Sequence, residues 1–435
     1  MLLLIVNALC VAAAFNTHTK PATYILRKPS TSTTLYANPN PNPTIVTVPL
    51  SGSRSYDITI SPSLASSSST NSLPSLIKSS AVLVVTSDKI APFHLKNFLA
   101  HLTESLPSST TFHTCILPDG EQHKDLPTLN KILDAALQLK LDRKTTFVAL
   151  GGGVIGDMVG FAASIFLRGV NFIQVPTTVM AMVDSSVGGK TGVNHAVGKN
   201  LIGAFYQPEG VFVWLDLLDT LPDRELCSGL SEIVKYGLIR DKELFHWLES
   251  GNVEKLVNRD KTVFAEAVTR SCRNKAEVVA ADEKEAGVRA TLNLGHTYGH
   301  AIENGSGYGT FLHGEAVSIG TIMAAVHSYK EGWISEELLK RIVGLLERCR
   351  LPVCLPKESE MTFEKFKELM QGDKKVSNGV LSLILLKGGG EVGQCVFTSD
   401  YSETMCDETI RFFVENKGKG WIFSEVNLKQ RQFKF

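Results

Sequence analysis

Three histidines lie close together in one glycine-containing stretch of this sequence. They are His296, His300 and His313, three of the chain's 11 histidines, and residues 289–303 also contain an arginine, an asparagine and a carboxylate. Histidines four residues apart lie on one face of a helix. This spacing is typical of zinc sites in which two imidazoles and a carboxylate leave one coordination position open. The alternative is a helix whose histidines only cap it or fill the core; the third histidine, the glycines and Arg289 favour a metal site.

A glycine-rich turn offers a second kind of chemistry. A predicted strand at residues 146–150 runs directly into Gly151, Gly153 and Gly156, a Gly-x-Gly-x-x-Gly pattern, and a helical pattern follows at residues 158–166. Backbone N–H groups at such a strand-to-helix turn can hold a pyrophosphate. The acidic residue expected about 20 positions later for the ribose hydroxyls is missing from residues 158–183. The turn is therefore a variant dinucleotide site or a site of tight packing.

Two polar runs are hard to explain as scaffold. Residues 119–124 place four polar groups beside a turn, and residues 184–194 and 198–200 surround Asp184, Lys190 and Lys199 with glycines. The Gly-Gly-Lys-Thr run resembles the end of an ATP-binding loop, but Asp184 stands where the first glycine of that loop is required. We interpret these runs as glycine-rich loops whose lysines bind an anionic, phosphorylated substrate.

Strands alternate with helices in the first part of the chain. Residues 81–86 form an unbroken apolar run, typical of a parallel strand buried on both faces, and helical spacing follows at residues 126–139. Residues 61–72 are a serine-rich loop. Further strands are predicted at residues 44–48, 56–60, 171–175 and 211–215. This alternation predicts an α/β domain with a parallel sheet over residues 44–221.

Helical patterns dominate after Pro222. The first of them carries Glu232 and Lys235 three residues apart on one side of the helix, and Asn378-Gly379 indicates a hairpin turn ahead of a strand-like run at residues 380–386. We predict a helical domain over residues 222–416, a tail at 417–435, and a binding site in the cleft between the two domains. The predicted helices cover residues 225–240, 241–250, 253–281, 297–303, 315–329 and 335–350.

Charge and composition exclude some classes of protein. The 435 residues include 44 lysines and arginines and 44 acidic residues, and no basic block stands out, which argues against a nucleic-acid partner. The apolar content of 43% is that of an ordinary globular protein. Outside the first 14 residues, seven spaced cysteines without a Cys-x-x-Cys pair indicate reduced, mostly buried thiols.

The N-terminus has the composition of a targeting sequence. Residues 1–14 are an apolar run that ends in three alanines, like a signal peptide, and are too short to span a bilayer comfortably. Residues 15–43 are rich in hydroxylated residues, and the first acidic residue of the chain is Asp57, as in transit peptides. Together they resemble the two-part presequence of proteins sent to the secondary plastids of algae, which predicts a mature stromal protein without a membrane segment. A secretory signal followed by a linker is the alternative.

The motifs taken together resemble the 3-dehydroquinate synthase family, within the sugar-phosphate cyclases. The resemblance covers residues 44–415 and includes Glu-x-x-Lys at Glu232, Arg-x-x-Leu-Asn-x-Gly-His-Thr-x-Gly-His from Arg289, and His-Gly-Glu at His313. It implies an NAD-binding domain on a Rossmann-like sheet, followed by a helical metal-binding domain. It also implies a divalent metal, usually zinc with cobalt possible, and a homodimer.

The same resemblance implies a role for individual residues. The implied metal ligands are Glu232, His296 and His313, with His300 on the substrate side. The implied catalytic group is Lys190, Lys235, Lys275, Arg289, Asn293 and His300. The implied substrate contacts are Arg168, Asp184, Asn200, Lys374 and Lys375. The implied NAD contacts are Asp119, Gly120, Glu121, Gln122, His123, Lys124, Gly153, Val154, Ile155, Gly156, Asp157, Thr177, Thr178, Lys190, Lys199, Thr220, Leu221 and Glu225.

The implied reaction converts 3-deoxy-D-arabino-heptulosonate 7-phosphate to 3-dehydroquinate and phosphate in the shikimate pathway. It combines transient oxidation by NAD, phosphate elimination, re-reduction and intramolecular aldol closure. Arg289 and Lys275 suit the substrate carboxylate. The alternatives are a sister cyclase that acts on sedoheptulose 7-phosphate, which has no carboxylate, and a metal-dependent glycerol or alcohol dehydrogenase, which has no use for the substrate lysines. A non-catalytic descendant is a third class.

Overall fold

A seven-stranded sheet forms the first part of the molecule. The computed structural model describes residues 24–25, 43–52, 54–64, 73–307, 309–372, 376–377 and 380–419. The strands within them are β1 Tyr24–Ile25, β2 Thr44–Val48, β3 Tyr56–Ser61, β4 Ala81–Ser87, β5 Thr111–Leu117, β6 Thr146–Gly151, β7 Asn171–Pro176, β8 Lys190–His195, β9 Gly198–Phe205, β10 Gly210–Trp214, β11 Val376–Ser377, β12 Val380–Leu381, β13 Leu383–Leu386 and β14 Cys395–Thr398.

The sheet is parallel except at one edge. Its order is β2-β3-β10-β7-β6-β4-β5, and only β2 and β3 pair antiparallel. Side chains on both faces of β4 are fully buried, among them Val82 and Leu83, because helices cover both sides of a parallel sheet. Phe98 of α2 (Ala91–Ser105) packs on one face, and Met158 of α4 (Gly153–Ile165) packs on the other. The predicted α/β architecture is confirmed.

Strand order creates a crevice at the carboxyl ends of β4 and β6. The chain leaves β4 through α2 toward β5 and returns through α3 (Leu126–Gln138) to β6, on the other side of β4. Such a reversal opens a gap where open α/β sheets bind nucleotides. The glycine turn after β6 lies at this edge.

The predicted glycine-rich loop is confirmed at Gly188 and Gly189, whose φ values of 93° and 66° are left-handed. From Lys190 to Asn200 the prediction is wrong, because β8 and β9 form an antiparallel hairpin there. Gly192 pairs with Gly203, and a Cβ on Gly203 would lie 2.0 Å from the Thr191 carbonyl oxygen. These two glycines therefore allow close strand packing rather than loop freedom.

Helices make up most of the second part. One predicted helix, residues 253–281, is in fact two, because Arg259 has a left-handed φ of 63° and Asp260 caps the second helix by accepting from the Thr262 and Val263 N–H groups. The helices not yet named are α1 Leu73–Leu76, α5 Asp223–Ile239, α6 Lys242–Trp247, α7 Val253–Val257, α8 Lys261–Ala281, α9 His296–Ser306, α10 His313–Lys330, α11 Glu336–Arg348, α12 Phe363–Gln371 and α13 Glu403–Glu415.

A small sheet in the order β1-β14-β13 accompanies these helices. Its strand β1 belongs to the segment predicted as a transit peptide; residues 1–23 and 26–42 lie outside the described part of the chain, as does most of the predicted tail. Strands β11 and β12 flank the predicted Asn378-Gly379 turn, which is itself outside the described residues. The seven cysteines after Cys10 are free thiols, six of them buried. Among the described helices, none has both the length and the hydrophobicity to cross a bilayer.

Candidate active site

Three helices bring one carboxylate and two imidazoles together. Glu232 lies in the middle of α5, His296 is the first residue of α9, and His313 is the first residue of α10. Ligand-type atoms of the three side chains all lie within 4.8 Å of one another, and His296 Nε2 is 3.7 Å from Glu232 Oε1. Glu232 is fully buried. This is the size and composition of a divalent-metal site.

Glycines allow the three helices to approach so closely. A Cβ on Gly314 would lie 1.9 Å from the Ser228 carbonyl oxygen of α5, and one on Gly320 would lie 2.2 Å from the Gly295 carbonyl oxygen. Gly295 itself has a φ of 76°, which a residue with a side chain rarely adopts. Helix α10 therefore packs tightly against α5 on one side and against the start of α9 on the other.

Hydrogen bonds orient each imidazole. The Leu294 carbonyl oxygen lies 3.0 Å from His296 Nδ1, which places the ring proton there and turns Nε2 toward Glu232. His313 Nδ1 lies 3.2 Å from Glu303 Oε2.

Burial, with Lys235 adding to it, holds the pKa of His296 well below its usual value, so the ring is neutral, as a metal ligand must be. Burial opposes a charge on His313, but Glu303 outweighs it and raises the pKa of that ring.

One carboxylate oxygen at this site has no partner. Lys235 Nζ donates to Glu232 Oε2, whereas Oε1 is buried and has no hydrogen-bond partner in the part of the chain that the structure describes. A buried, unsatisfied carboxylate oxygen costs stability unless a cation or water binds it. Since Oε1 faces His296 Nε2, a divalent cation fits this position.

His300 lies beside the trio. Its ring centroid is 5.5 Å from that of His296 and 6.1 Å from that of His313. With Glu303 and His313 it forms a second group of ligand-type atoms within 4.8 Å. The helical spacing thus correctly predicted that His296 and His300 are neighbours, but it did not indicate the approach of α5.

Asp184 connects the sheet to the helical part. It lies in the π-turn Ala181–Ser185 after β7. Lys275 Nζ of α8 donates to its Oδ1 at 2.8 Å, Lys235 Nζ is 4.0 Å away, and Tyr236 donates its hydroxyl at 3.2 Å. Burial opposes the charge on Asp184, but Lys275 and Lys235 hold the pKa of this carboxyl well below its usual range. Burial in turn lowers the pKa of Lys275.

Arg289 is buried, and among the described residues no carboxylate forms an ion pair with it. Its Nη1 donates to the Glu283 carbonyl oxygen and its Nη2 to the Gly188 carbonyl oxygen at 2.9 Å. Its Nε is buried and has no partner among the described residues. The guanidinium is therefore held in place by main-chain dipoles, and its charge remains available to an anion.

Glu285 is a site residue that the sequence did not reveal. Its carboxylate accepts from Lys190 Nζ at 2.5 Å and from Asn293 Nδ2 at 3.0 Å. Burial lowers the pKa of Lys190 to about 8, and Arg289 adds to the shift while Glu285 opposes it. Glu285 lies four residues before Arg289 in an acidic run, but it stands in a turn with a φ of 58°, so no helical or strand periodicity marks it.

The glycine turn lies at the carboxyl edge of the sheet. Helix α4 begins at Gly153, not at residue 158 as predicted, so Val154, Ile155, Gly156 and Asp157 are already helical. The first N–H groups of α4, which have no partner within the helix, lie at this edge of the sheet. A Cβ on Gly152 would lie 3.1 Å from Thr178 Cγ2, which places Thr178 against the turn.

The polar run at residues 119–124 lies against the β8–β9 hairpin. Lys124 Nζ donates to Asp157 Oδ2 and to Asn200 Oδ1, each at 2.6 Å, and Asn194 Nδ2 donates to Glu121 Oε1 at 2.7 Å. On the metal side, Lys199 Nζ lies 3.0 Å from Glu303 Oε1. The hairpin therefore connects the glycine turn with the imidazole group.

The other implied NAD and substrate residues lie outside the contacts described above, or outside the residues that the structure describes. Thr220 Oγ1 is 2.6 Å from His94 Nε2, and burial with the nearby Asp119 raises the pKa of Glu225. Arg168 is exposed and precedes the amino end of β7, the sheet edge opposite the glycine turn. Lys374 and Lys375 lie outside the described residues.

Comparisons with known proteins agree with this geometry. Residues 114–228 match the family model of the 3-dehydroquinate synthase N-terminal domain, and residues 229–376 match that of the C-terminal domain. The chain is 57% identical over 362 residues to the chloroplastic 3-dehydroquinate synthase of Arabidopsis thaliana, covering 83% of this chain and 80% of the relative. It is 51% identical over 359 residues to the 3-dehydroquinate synthase of Hydrogenovibrio crunogenus, covering 82% and 97%.

A solved structure has the same fold. The 2-epi-5-epi-valiolone synthase of Streptomyces hygroscopicus, determined with NAD⁺ and Zn²⁺ bound, superimposes with a TM-score of 0.75 at 27% identity, covering 83% of this chain and 97% of the other. Identity above half over most of the chain, together with both domain models, assigns this protein: it belongs to the 3-dehydroquinate synthase family.

Proposed function

We propose that this protein converts 3-deoxy-D-arabino-heptulosonate 7-phosphate to 3-dehydroquinate and phosphate, as a carbon–oxygen lyase that depends on NAD and a metal. The observation that carries the proposal is the pairing of two features in one site. A buried Glu232–His296–His313 group and the buried Arg289 cation are linked through Asp184, which interacts electrostatically with His296 and with Arg289. Among the described residues, the guanidinium donates its hydrogen bonds to main-chain oxygens. The first suits a divalent cation and the second suits a carboxylate, and the family substrate requires both.

Glu232, His296 and His313 would hold the metal, with zinc favoured and cobalt as the other candidate. The unsatisfied Glu232 Oε1 and the neutral His296 ring fit a divalent cation, and the related valiolone synthase binds Zn²⁺. When bound, the cation would act as a Lewis acid toward a substrate hydroxyl. Glu303 would keep His313 oriented through its Nδ1.

The crevice at the carboxyl ends of β4 and β6 would hold NAD, which supplies a transient oxidation and is regenerated. The start of α4 would face the pyrophosphate. The residues proposed to bind NAD are those named above: residues 119–124 and 153–157, with Thr177, Thr178, Lys190, Lys199, Thr220, Leu221 and Glu225.

Cationic groups would bind the two anionic ends of the substrate. Arg289 and Lys275 would bind the carboxylate, because a guanidinium can donate two parallel hydrogen bonds to it. Asn293 would donate its amide nearby, and His300 would move a proton during phosphate loss. Asp184 and Lys235 would contact the substrate hydroxyls that face the metal, and Lys190 would lie between the positions proposed for the carboxylate and for NAD. The phosphate would lie near Asn200, and Lys374 and Lys375 are further candidate contacts. Arg168, which lies at the opposite edge of the sheet, stays a prediction of the family resemblance alone.

The two alternative functions, a sister cyclase and a dehydrogenase, would give different products when the purified protein is assayed. With purified protein, zinc and NAD⁺, we expect inorganic phosphate to be released from the heptulosonate at least about 100-fold faster than from sedoheptulose 7-phosphate, since losing a buried charge partner costs several kcal/mol. Faster release from sedoheptulose 7-phosphate would establish the sister cyclase. Oxidation of glycerol without phosphate release would establish the dehydrogenase.

Location and assembly complete the proposal. We propose that residues 1–43 direct the protein to the plastid stroma, which the chloroplastic relatives support. A fluorescent fusion of residues 1–45 found outside the plastid of an algal cell would contradict this.

We also propose a homodimer, supported by exposed apolar side chains on the β8–β9 hairpin at Val197, Leu201 and Phe205. Sedimentation velocity at micromolar concentration would show a single monomer species if this is wrong.

A further inference from the structure

Arg54 lies outside every motif discussed so far, yet it contacts the segment that carries Arg289. It precedes β3, in the NAD domain, and its Nη1 donates to Glu283 Oε1 at 2.5 Å. Its own turn fixes the guanidinium, because Nε donates to the Ser51 carbonyl oxygen and Nη2 to Ser51 Oγ, both at 3.1 Å. The ion pair therefore joins the residues just before β3, in the NAD domain, to the loop after α8.

Glu283 begins the loop that presents Arg289. Its main-chain oxygen accepts from Arg289 Nη1, and its carboxylate accepts from Gln207 Nε2 at 3.1 Å in addition to Arg54. The loop closes on Asp282, whose carboxylate accepts from three main-chain N–H groups between 2.8 and 3.0 Å. Moving Glu283 would therefore move both an acceptor of the guanidinium and the loop that carries it.

The second acceptor of Arg289 is supported from the same strand. Gly188, whose oxygen accepts from Arg289 Nη2, donates its own N–H to Tyr56 Oη at 2.9 Å. Tyr56 opens β3, two residues after Arg54. The two residues whose main-chain oxygens hold the Arg289 guanidinium, Glu283 and Gly188, are thus each bonded by a side chain at or just before the start of β3.

We propose that Arg54 is a positioning residue for substrate binding: through Glu283 it fixes residues 282–289 and with them the orientation of Arg289 toward the substrate carboxylate. This inference rests on the proposed function for its substrate. Arg54 touches neither substrate nor cofactor in this assignment. Because it supports binding in the ground state and the transition state alike, its loss raises KM and leaves kcat nearly unchanged.

The test compares Arg54→Ala, Arg54→Lys, Glu283→Gln and the double variant Arg54→Ala/Glu283→Gln with wild type. We expect KM for the heptulosonate to rise about two- to fivefold in Arg54→Ala, the range of a partly exposed ion pair, with kcat within about twofold. Arg54→Lys keeps the charge and recovers part of the loss. The KM of the double variant does not exceed the higher KM of the two single variants, because both changes break the same contact.

A matched control is Arg348→Ala, which breaks another Arg–Glu pair, with Glu254, between α11 and α7. We expect its KM to equal that of wild type. Additive effects in the double variant, or an equal rise of KM in Arg348→Ala, would overturn the proposal.

A second readout does not depend on turnover. Hydrogen exchange should accelerate at least about threefold at the Ala286, Gly287 and Arg289 amides, which bond Asp282, in Arg54→Ala but not in Arg348→Ala. Unchanged exchange there would overturn the positioning role even if wild type turns over its substrate. If wild type releases no phosphate while exchange accelerates, the proposed function fails and the structural link stands.

Discussion

Glu232, His296 and His313 each bind a different neighbour with the atom that faces away from the trio. Lys235 bonds one carboxylate oxygen of Glu232, the Leu294 carbonyl oxygen bonds one ring nitrogen of His296, and Glu303 bonds one of His313. These outer contacts leave one donor atom of each side chain turned inward. The proposed metal site is thus oriented in advance by the protein.

We predict that His296→Ala and His313→Ala lose bound metal, each by more than about 100-fold in affinity, since even an outer partner of a ligand is worth 10- to 100-fold. His300→Ala should keep the metal and lose rate. Metal content after dialysis, measured by mass spectrometry, checks this, with His246→Ala on the surface of α6 as the control. Equal metal loss in His296→Ala, His313→Ala and His300→Ala would contradict the ligand assignment.

We predict an alkaline limb in the pH profile from Lys190. Because burial lowers its pKa to about 8, the side chain is a cation below that pH and neutral above it, so kcat/KM for the anionic substrate should fall about tenfold per pH unit above pH 8. Lys190→Arg stays charged and should flatten this limb while lowering overall activity. The same fall in both proteins would show that another group titrates.

Single residues were predictable from the sequence only where spacing or a motif marked them. The four-residue step from His296 to His300 indicated a shared helix face, which the structure confirms. Glu285, Arg54 and Glu283 lie in turns, where no periodicity exists. Their contacts arise from tertiary packing between distant segments, which the sequence of one segment does not specify.

At the scale of elements, α10 is the centre of the site. It is buried along nearly its whole length and carries a ligand-type histidine at its first residue. Small residues on two of its sides allow α5 and α9 to approach. The glycine in the His-Gly-Glu motif is therefore a packing residue as well as a neighbour of His313.

We predict that Gly314→Ala destabilises the protein by about 1–3 kcal/mol or more, the usual cost of overpacking, because the new Cβ would lie 1.9 Å from the Ser228 carbonyl oxygen. It should also weaken metal binding by moving His313 away from Glu232. Urea unfolding and metal titration measure the two effects. Gly344→Ala on α11, with nothing within 4 Å of the new Cβ, is the control and should be neutral or stabilising by up to about 1 kcal/mol. Equal stability of the two variants would contradict the packing argument.

Element types were mostly predictable, including the glycine turn between β6 and α4, whereas the glycine-containing hairpin was not. The strand Ala81–Ser87 and the helix Leu126–Gln138 follow from burial and periodicity. The β8–β9 hairpin was misread as loops, because glycines serve both loop freedom and close backbone packing. The sequence alone does not distinguish these two uses.

At the scale of the whole molecule, the site exists only where the two parts of the chain meet. Several ion pairs cross between the sheet domain and the helical part, and three of them lie at the proposed site: Asp184 with Lys275, Lys190 with Glu285, and Lys199 with Glu303. Each of these three pairs involves a residue that the proposal places at substrate or cofactor. Under the proposed function, substrate would compete with Glu285 for Lys190 and Asn293, which would link binding to the arrangement of the two parts.

The redox balance of turnover tests the central claim most directly. The proposed cyclase regenerates its cofactor, so purified protein with zinc, excess heptulosonate phosphate and a limiting amount of NAD⁺ should release many moles of phosphate per mole of NAD⁺, with no NADH accumulating. Phosphate and NADH absorbance are followed in the same reaction. Phosphate release that stops at one mole per mole of NAD⁺, with NADH rising in step, would contradict the account.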